Sequence, residues 1–98
     1  MAEIKRCNAQ GIAAYLIRRG DAERGTVLLR IDGFDQGYRL LVQARDAAGA
    51  LGWLEVGSAL PAAEAAAYVE RAVARDPDLW VGEIEDREGR NPFAGTVF

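Results

Sequence analysis

No histidine occurs among the 98 residues, and cysteine occurs once, as Cys7. The missing imidazole removes His–Ser and His–Cys nucleophile pairs, His-containing zinc sites and the side chain that most readily moves protons near neutral pH. A lone thiol can form neither an intrachain disulfide nor an all-cysteine metal site. With no histidine to lower its pKa, Cys7 reads as inert. Lysine is confined to Lys5, serine to Ser58 and threonine to Thr26 and Thr96. Lys5 follows no glycine run, so the GxxxxGK[ST] phosphate loop is absent, and GxGxxG and GxSxG are absent too. No apolar stretch approaches the roughly 18 residues that would span a bilayer. The charged opening MAEIKR lacks the apolar core of a secretory signal. The expected setting is the cytoplasm, with no membrane contact and no cofactor.

What is present suits one globular domain spanning 1–98, since half of the residues are hydrophobic and 28% are charged. Of the 12 basic residues 11 are arginine, and alanine occurs 18 times, a bias that GC-rich coding produces without functional pressure. The formal net charge of −3 is unevenly spread. Residues 1–50 hold eight basic and six acidic groups, whereas residues 51–98 hold four basic and nine acidic ones. A mildly basic first half is thus joined to an acidic second half, a polarity that can orient two copies or steer a partner.

Glycines separate runs of strand length. Residues 12–18 (IAAYLIR), 26–32 (TVLLRID), 38–44 (YRLLVQA) and 51–56 (LGWLEV) read as four strands. The connections GDAERG, GFDQG and RDAAGA carry turn chemistry, so an antiparallel meander of four strands is expected. The period then changes. Pro61 opens AAEAAAYVERAVAR, an alanine-rich helix over about 61–75 that Asp76-Pro77 stops. Ala62, Ala65, Ala66, Val69, Ala72 and Val73 fall on its apolar face. LWVGEIE, about 79–85, reads as a fifth strand, residues 1–10 as a short helix ended by Gly11, and residues 91–98 as a loose tail. The fold class is α+β.

Closing GFDQG as a hairpin sets Ile31 opposite Arg39, Leu29 opposite Leu41 and Leu28 opposite Val42. Alternation sends the two apolar pairs to opposite faces, so both faces of the sheet are apolar at its centre. One helix covers one of them. The other requires the N-terminal segment or a second copy of the chain, and a homodimer is the expectation.

The acidic stretch Asp76, Asp78, Glu83, Glu85, Asp86 and Glu88 is the densest cluster of chemistry-bearing groups. Glu83 and Glu85 share a strand face with Cα atoms about 6.6 Å apart. With Asp78 they are the candidates for oxygen ligands to a divalent cation, and Glu83 and Glu85 for acid–base work. The alternative is a solvated strand whose acids blunt an exposed edge, or a carboxylate–arginine interface. A PD…(D/E)xK nuclease motif is rejected, because its lysine is missing and five residues separate Asp78 from Glu83. Arg18, Arg19, Arg24, Arg30, Arg39 and Arg45 interleave with Tyr15 and Tyr38 in a nucleic-acid-like pattern. Asp21, Glu23, Asp32, Asp35 and Asp46 occupy the same loops, and nucleic acid is disfavoured as a partner. Trp53 and Trp80 read as sheet-face aromatics, and Gly82 marks a bulge or a close approach.

LIRRGD (16–21) through GTVLLRI (25–31), together with DPDLWV (76–81) and EIED (83–86), resemble a small alphaproteobacterial family, domain of unknown function 1491. The likeness runs from about Gly11 to Arg90. The resemblance implies no activity and no site residue. The leading functional expectation is therefore a non-catalytic protein-interaction or assembly module whose protein partner is unknown. The alternative is a carboxylate enzyme, metal-assisted, using Asp78, Glu83 and Glu85.

Overall fold

The computed structural model of the chain describes residues 2–98. These form α1 (Ala2–Ala9), β1 (Ala14–Arg18), β2 (Val27–Asp32), a one-turn 3-10 helix (Phe34–Gln36), β3 (Tyr38–Arg45), β4 (Leu51–Leu60), α2 (Ala62–Arg75) and β5 (Trp80–Glu85). The fold is α+β: two α-helices and a five-stranded mixed sheet in the order β1-β5-β2-β3-β4.

The β2–β3 hairpin has the expected register, with Leu28 opposite Val42, Leu29 opposite Leu41 and Ile31 opposite Arg39. β3 pairs antiparallel with β4, which runs four residues beyond its expected end. The four-strand meander is corrected at its first member. β1 does not touch β2; β5 lies between them, antiparallel to β1 and parallel to β2. The reason is the long connection after β1, which wraps the entry to β5. Arg18 Nη1 donates to the carbonyls of Pro77 and Leu79 at 2.9 and 3.0 Å. The Asp21 amide donates to Asp78 O, the Trp80 amide to Thr26 O and the Trp80 indole to Asp21 O, all at 2.8–2.9 Å. Three backbone groups of that loop, the Asp21 amide and the Asp21 and Thr26 carbonyls, are thereby satisfied by the approach to β5 rather than by a tight turn to β2.

Each face of the sheet has its own cover. Leu28, Leu40 and Val81 pack under α2, whose buried residues are Ala65 and Ala72, with Tyr68, Val69 and Val73 beside them. Ala62 and Ala66, expected on this face, are exposed. Tyr68 packs against this cluster instead, where α2 lies over β3 and β4. Pro61 is extended and caps the helix from outside it; Asp76 ends it, its amide still donating to Ala72 O.

Leu29, Ile31, Leu41, Trp53 and Ile84 line the opposite face, covered by Cys7 and Ile4 of α1 and by Phe93 and Val97. A short helix is expected over 1–10; α1 occupies Ala2–Ala9, and Met1 lies outside the described residues. Gly11, at φ +78°, closes it: its amide donates to Asn8 O and the Ile12 amide to Cys7 O, a left-handed cap that suits glycine. Gly82 lies under Ile4 of α1, and a Cβ there would crowd the Leu29 side chain at 3.2 Å. Residues 91–98, expected as a loose tail, are tied down. The Trp53 amide donates to Thr96 O and the Phe98 amide to Trp53 O, both at 2.8 Å, forming a parallel bridge from Trp53 to Val97. The N-terminal segment and this tail thus cover the face for which a second copy was the other option.

Candidate functional site

β2 and β5 run parallel with Arg30 beside Glu83. Alternation puts both on the α2 face but beyond the helix, and Arg30 Nε donates to Glu83 Oε1 at 2.6 Å. The side chains are 21% and 15% exposed, so water screens the pair only partly. The Arg30 guanidinium also lies 5.7 Å from the Tyr38 ring centre. Tyr38 donates its hydroxyl to Asp32 Oδ2 at 3.4 Å. Burial, and then the Asp32 and Glu83 carboxylates, raise the Tyr38 pKa, so the phenol stays protonated. On β1, Tyr15 donates to Glu85 Oε1 at 3.4 Å.

These contacts decide the fate of the three expected carboxylates. Glu83 and Glu85 do share a face, but Glu83 is bonded to Arg30 and Glu85 to Tyr15. Asp78 precedes β5 and Glu85 ends it, so the length of the strand, about 17 Å at 3.3 Å per residue, separates them. Asp78 serves the turn instead: its amide donates to Asp76 Oδ1 and its carbonyl accepts from Asp21. Among the described residues no three His, Cys, Asp or Glu side chains gather to hold a metal. The edge reading also needs correction, because β5 is an interior strand and its acids face a sheet surface. Arg30 is the residue that the sequence reading missed as a partner. A charge between Leu29 and Ile31, on the face shared with Leu28, is the signal of a side chain that needs a counter-charge within the sheet.

Where β2 and β5 end, an open groove of about 760 Å³ lies between Gly11–Ala13, Phe34 and residues 84–90. Phe34 has φ +57°, a strained conformation for an aromatic residue. Its amide donates to Asp32 Oδ1 at 2.8 Å, and the Arg87 guanidinium lies 4.6 Å from its ring centre. Asp86 accepts two bonds from the Arg90 guanidinium at 2.9 and 3.0 Å and one from its amide. That bonding, ahead of the opposing effect of desolvation, holds the Asp86 carboxyl below its ordinary pKa. Arg39 donates to Gly89 O and Glu55 Oε1, and Arg6 to Pro92 O. The groove's charges are therefore largely spent on holding the 86–92 segment. Cys7 is fully buried, which raises its pKa and keeps it a thiol.

Both edge strands keep apolar side chains open: Leu51 and Leu54 on β4, separated in sequence, and an unbroken run on β1. Tyr15, Leu16 and Ile17 are 47%, 40% and 46% exposed and consecutive on an edge strand.

A family model described as "Protein of unknown function (DUF1491)" matches residues 1–94. The chain belongs to the DUF1491 family. A crystal structure of a DUF1491 family protein from Caulobacter crescentus CB15 is similar at 37% identity and a TM-score of 0.85, covering 99% of this chain and 92% of that one. An NMR structure of a DUF1491 family protein from the same organism gives 37% identity and a TM-score of 0.82, over 99% and 89%. The solution structure of protein Atu0922 from A. tumefaciens follows at 27% identity and 0.72, over 87% and 79%. Among curated proteins none matches. The DUF1491 description assigns no activity. No helix among the described residues is long and apolar enough to cross a membrane.

Proposed function

We propose that the protein is a non-catalytic assembly module that pairs with a second copy of itself along β1. One observation carries this reading: the exposed Tyr15-Leu16-Ile17 run on a strand with a neighbour on one side only. The Glu85 amide donates to Ala13 O, which sets the ladder so that Ala14, and by alternation Leu16, turn their backbone groups away from β5. Leu16 then offers an unpaired N–H and C=O flanked by apolar side chains, the makings of edge-to-edge pairing. An antiparallel β1–β1 contact about a two-fold axis would join two five-stranded sheets and cover the run on both copies.

The geometry does not favour a carboxylate enzyme, because Glu83 is bonded to Arg30 and Asp78 stands at the far end of β5 from Glu85. Light scattering behind size exclusion tests the assembly reading. The wild-type chain should run at twice its mass and Leu16→Lys at its single mass, with an unchanged thermal midpoint. A wild-type monomer at several hundred micromolar would sink it.

A further inference from the structure

Register places four residues in one row across the face covered by α1. Trp80 of β5 pairs with Val27 of β2, and Gln43 of β3 pairs with Trp53 of β4. Since Leu28 pairs with Val42, Val27 and Gln43 are the next step outward along the hairpin. A tryptophan therefore stands at each end of the row, with a valine and an amide between them. This row floors a cavity of about 280 Å³ whose walls include Glu3 of α1 and Phe93. Phe93 meets Trp53 edge-on, with ring centres 6.0 Å apart at 74°.

Both indole N–H groups are already used, Trp80 donating to Asp21 O at 2.8 Å and Trp53 to Ala94 O at 3.0 Å. Trp53 and Phe93 are nearly buried, so the partly exposed Trp80 supplies the open ring surface, with no free donor. Glu3 carries the cavity's only formal charge; among the described residues it makes no ion pair, and Gln43 makes no side-chain hydrogen bond. A carboxylate with no ion pair among the described residues, lining the same cavity as Trp80, suits a positive head, and the valine floor suits an apolar body. Arg19 stands 5.9 Å from the Trp80 ring centre. It follows β1 in the chain and does not line the cavity, whereas Val27 does.

We infer that this trough binds a small organic cation, an ammonium group carrying a flat or branched apolar substituent, with the charge at Glu3 and the body over Val27 against Trp80. The site is independent of β1 and of the dimer.

The chain holds two tryptophans, and both floor the cavity, so intrinsic fluorescence reports on it directly. Benzyltrimethylammonium is the probe, with benzyl alcohol and benzoate as neutral and anionic counterparts of the same ring. The cation should give a saturable emission change with a Kd below about 1 mM. Glu3 is exposed, so Glu3→Gln should fold normally and bind about fivefold more weakly, the scale of a partly solvated charge pair. Benzoate should bind more weakly than either of the others. The inference is overturned by a non-saturable response, by benzoate binding as tightly as the cation, or by Glu3→Gln binding like the wild type.

Discussion

The two edges of the sheet face the same physical problem and solve it with different parts of the chain. An outer strand presents backbone donors and acceptors that no inner strand uses. On β4 the chain's own tail supplies the partner: Thr96 and Phe98 bond to Trp53, and Phe93 and Val97 pack into the core below. On β1 a single side chain does part of the work. Asn8 Nδ2 donates to Ala14 O at 3.1 Å and its Oδ1 accepts from the Ala14 amide at 3.2 Å, imitating one residue of a missing strand. A register shift between Leu16 and Arg18 then breaks the strand's regularity, but Leu16, between Ala14 and that shift, stays open. The tail closes β4 at Trp53 and buries Phe93 and Val97 there, while Leu51 and Leu54 stay exposed. An amide closes one residue and leaves its neighbours available.

This contrast can be broken at the β4 edge first. Phe93→Ala removes a buried ring from beneath the tail and should destabilise the fold by about 3–5 kcal/mol, read from urea unfolding. Gly52→Ala acts on the same edge through space alone. Its new Cβ would stand 2.5 Å from Thr96 O and 2.8 Å from the Phe98 ring, so the tail must shift. A loss of about 1–3 kcal/mol is expected, with faster amide exchange at Trp53 and Phe98. At the β1 edge, Asn8→Ala should cost about 1 kcal/mol, because both Ala14 groups can turn to water. It should also tighten self-association by lengthening the open edge, and a concentration series by light scattering measures this. If association weakens instead, Asn8 is part of the contact and not its boundary.

Acid provides the smallest and most selective perturbation. Asp86 binds Arg90 at the start of the segment that leads into the tail, and its folded pKa lies below the ordinary 3.8. A depressed carboxyl stabilises the fold above its unfolded pKa and stops doing so as pH falls through the folded one. Acidification below about pH 4 should therefore loosen the tail edge. The β1 edge, plugged by a neutral amide, should not respond over that range. Exchange rates at Phe98 and Ala14 followed from pH 5 to pH 2.5 give the comparison, and Asp86→Asn should flatten the Phe98 profile.

Short-range features were legible from residue order. Alternation in TVLLRID and YRLLVQA gave the hairpin and its register, because neighbours close together in sequence have few other ways to pair. The alanine run and Asp76-Pro77 placed α2, and Gly11 the end of α1. That Glu83 and Glu85 share a face also followed from the two-residue period of a strand. Three features did not follow: β5 between β1 and β2, the tail on β4, and Arg30 as the partner of Glu83. Each joins segments at least 40 residues apart, such as Arg30 and Glu83 at a separation of 53. Periodicity says which face a side chain takes but nothing about which distant strand lies alongside it.

Two decisions illustrate the division. Residue order alone made both faces of the sheet apolar, since Leu28 and Leu29 cannot point the same way. What covers the second face was settled in three dimensions, by α1 and the tail meeting over Leu29 and Trp53. Residue order likewise removed histidine chemistry and left carboxylates as the remaining acid–base groups. Whether those carboxylates were free depended on the parallel pairing of β2 with β5, which set a guanidinium against Glu83. Local sterics and alternation act through the chain and can be read along it. Burial and charge pairing act through space, and only the folded arrangement determines which groups they reach.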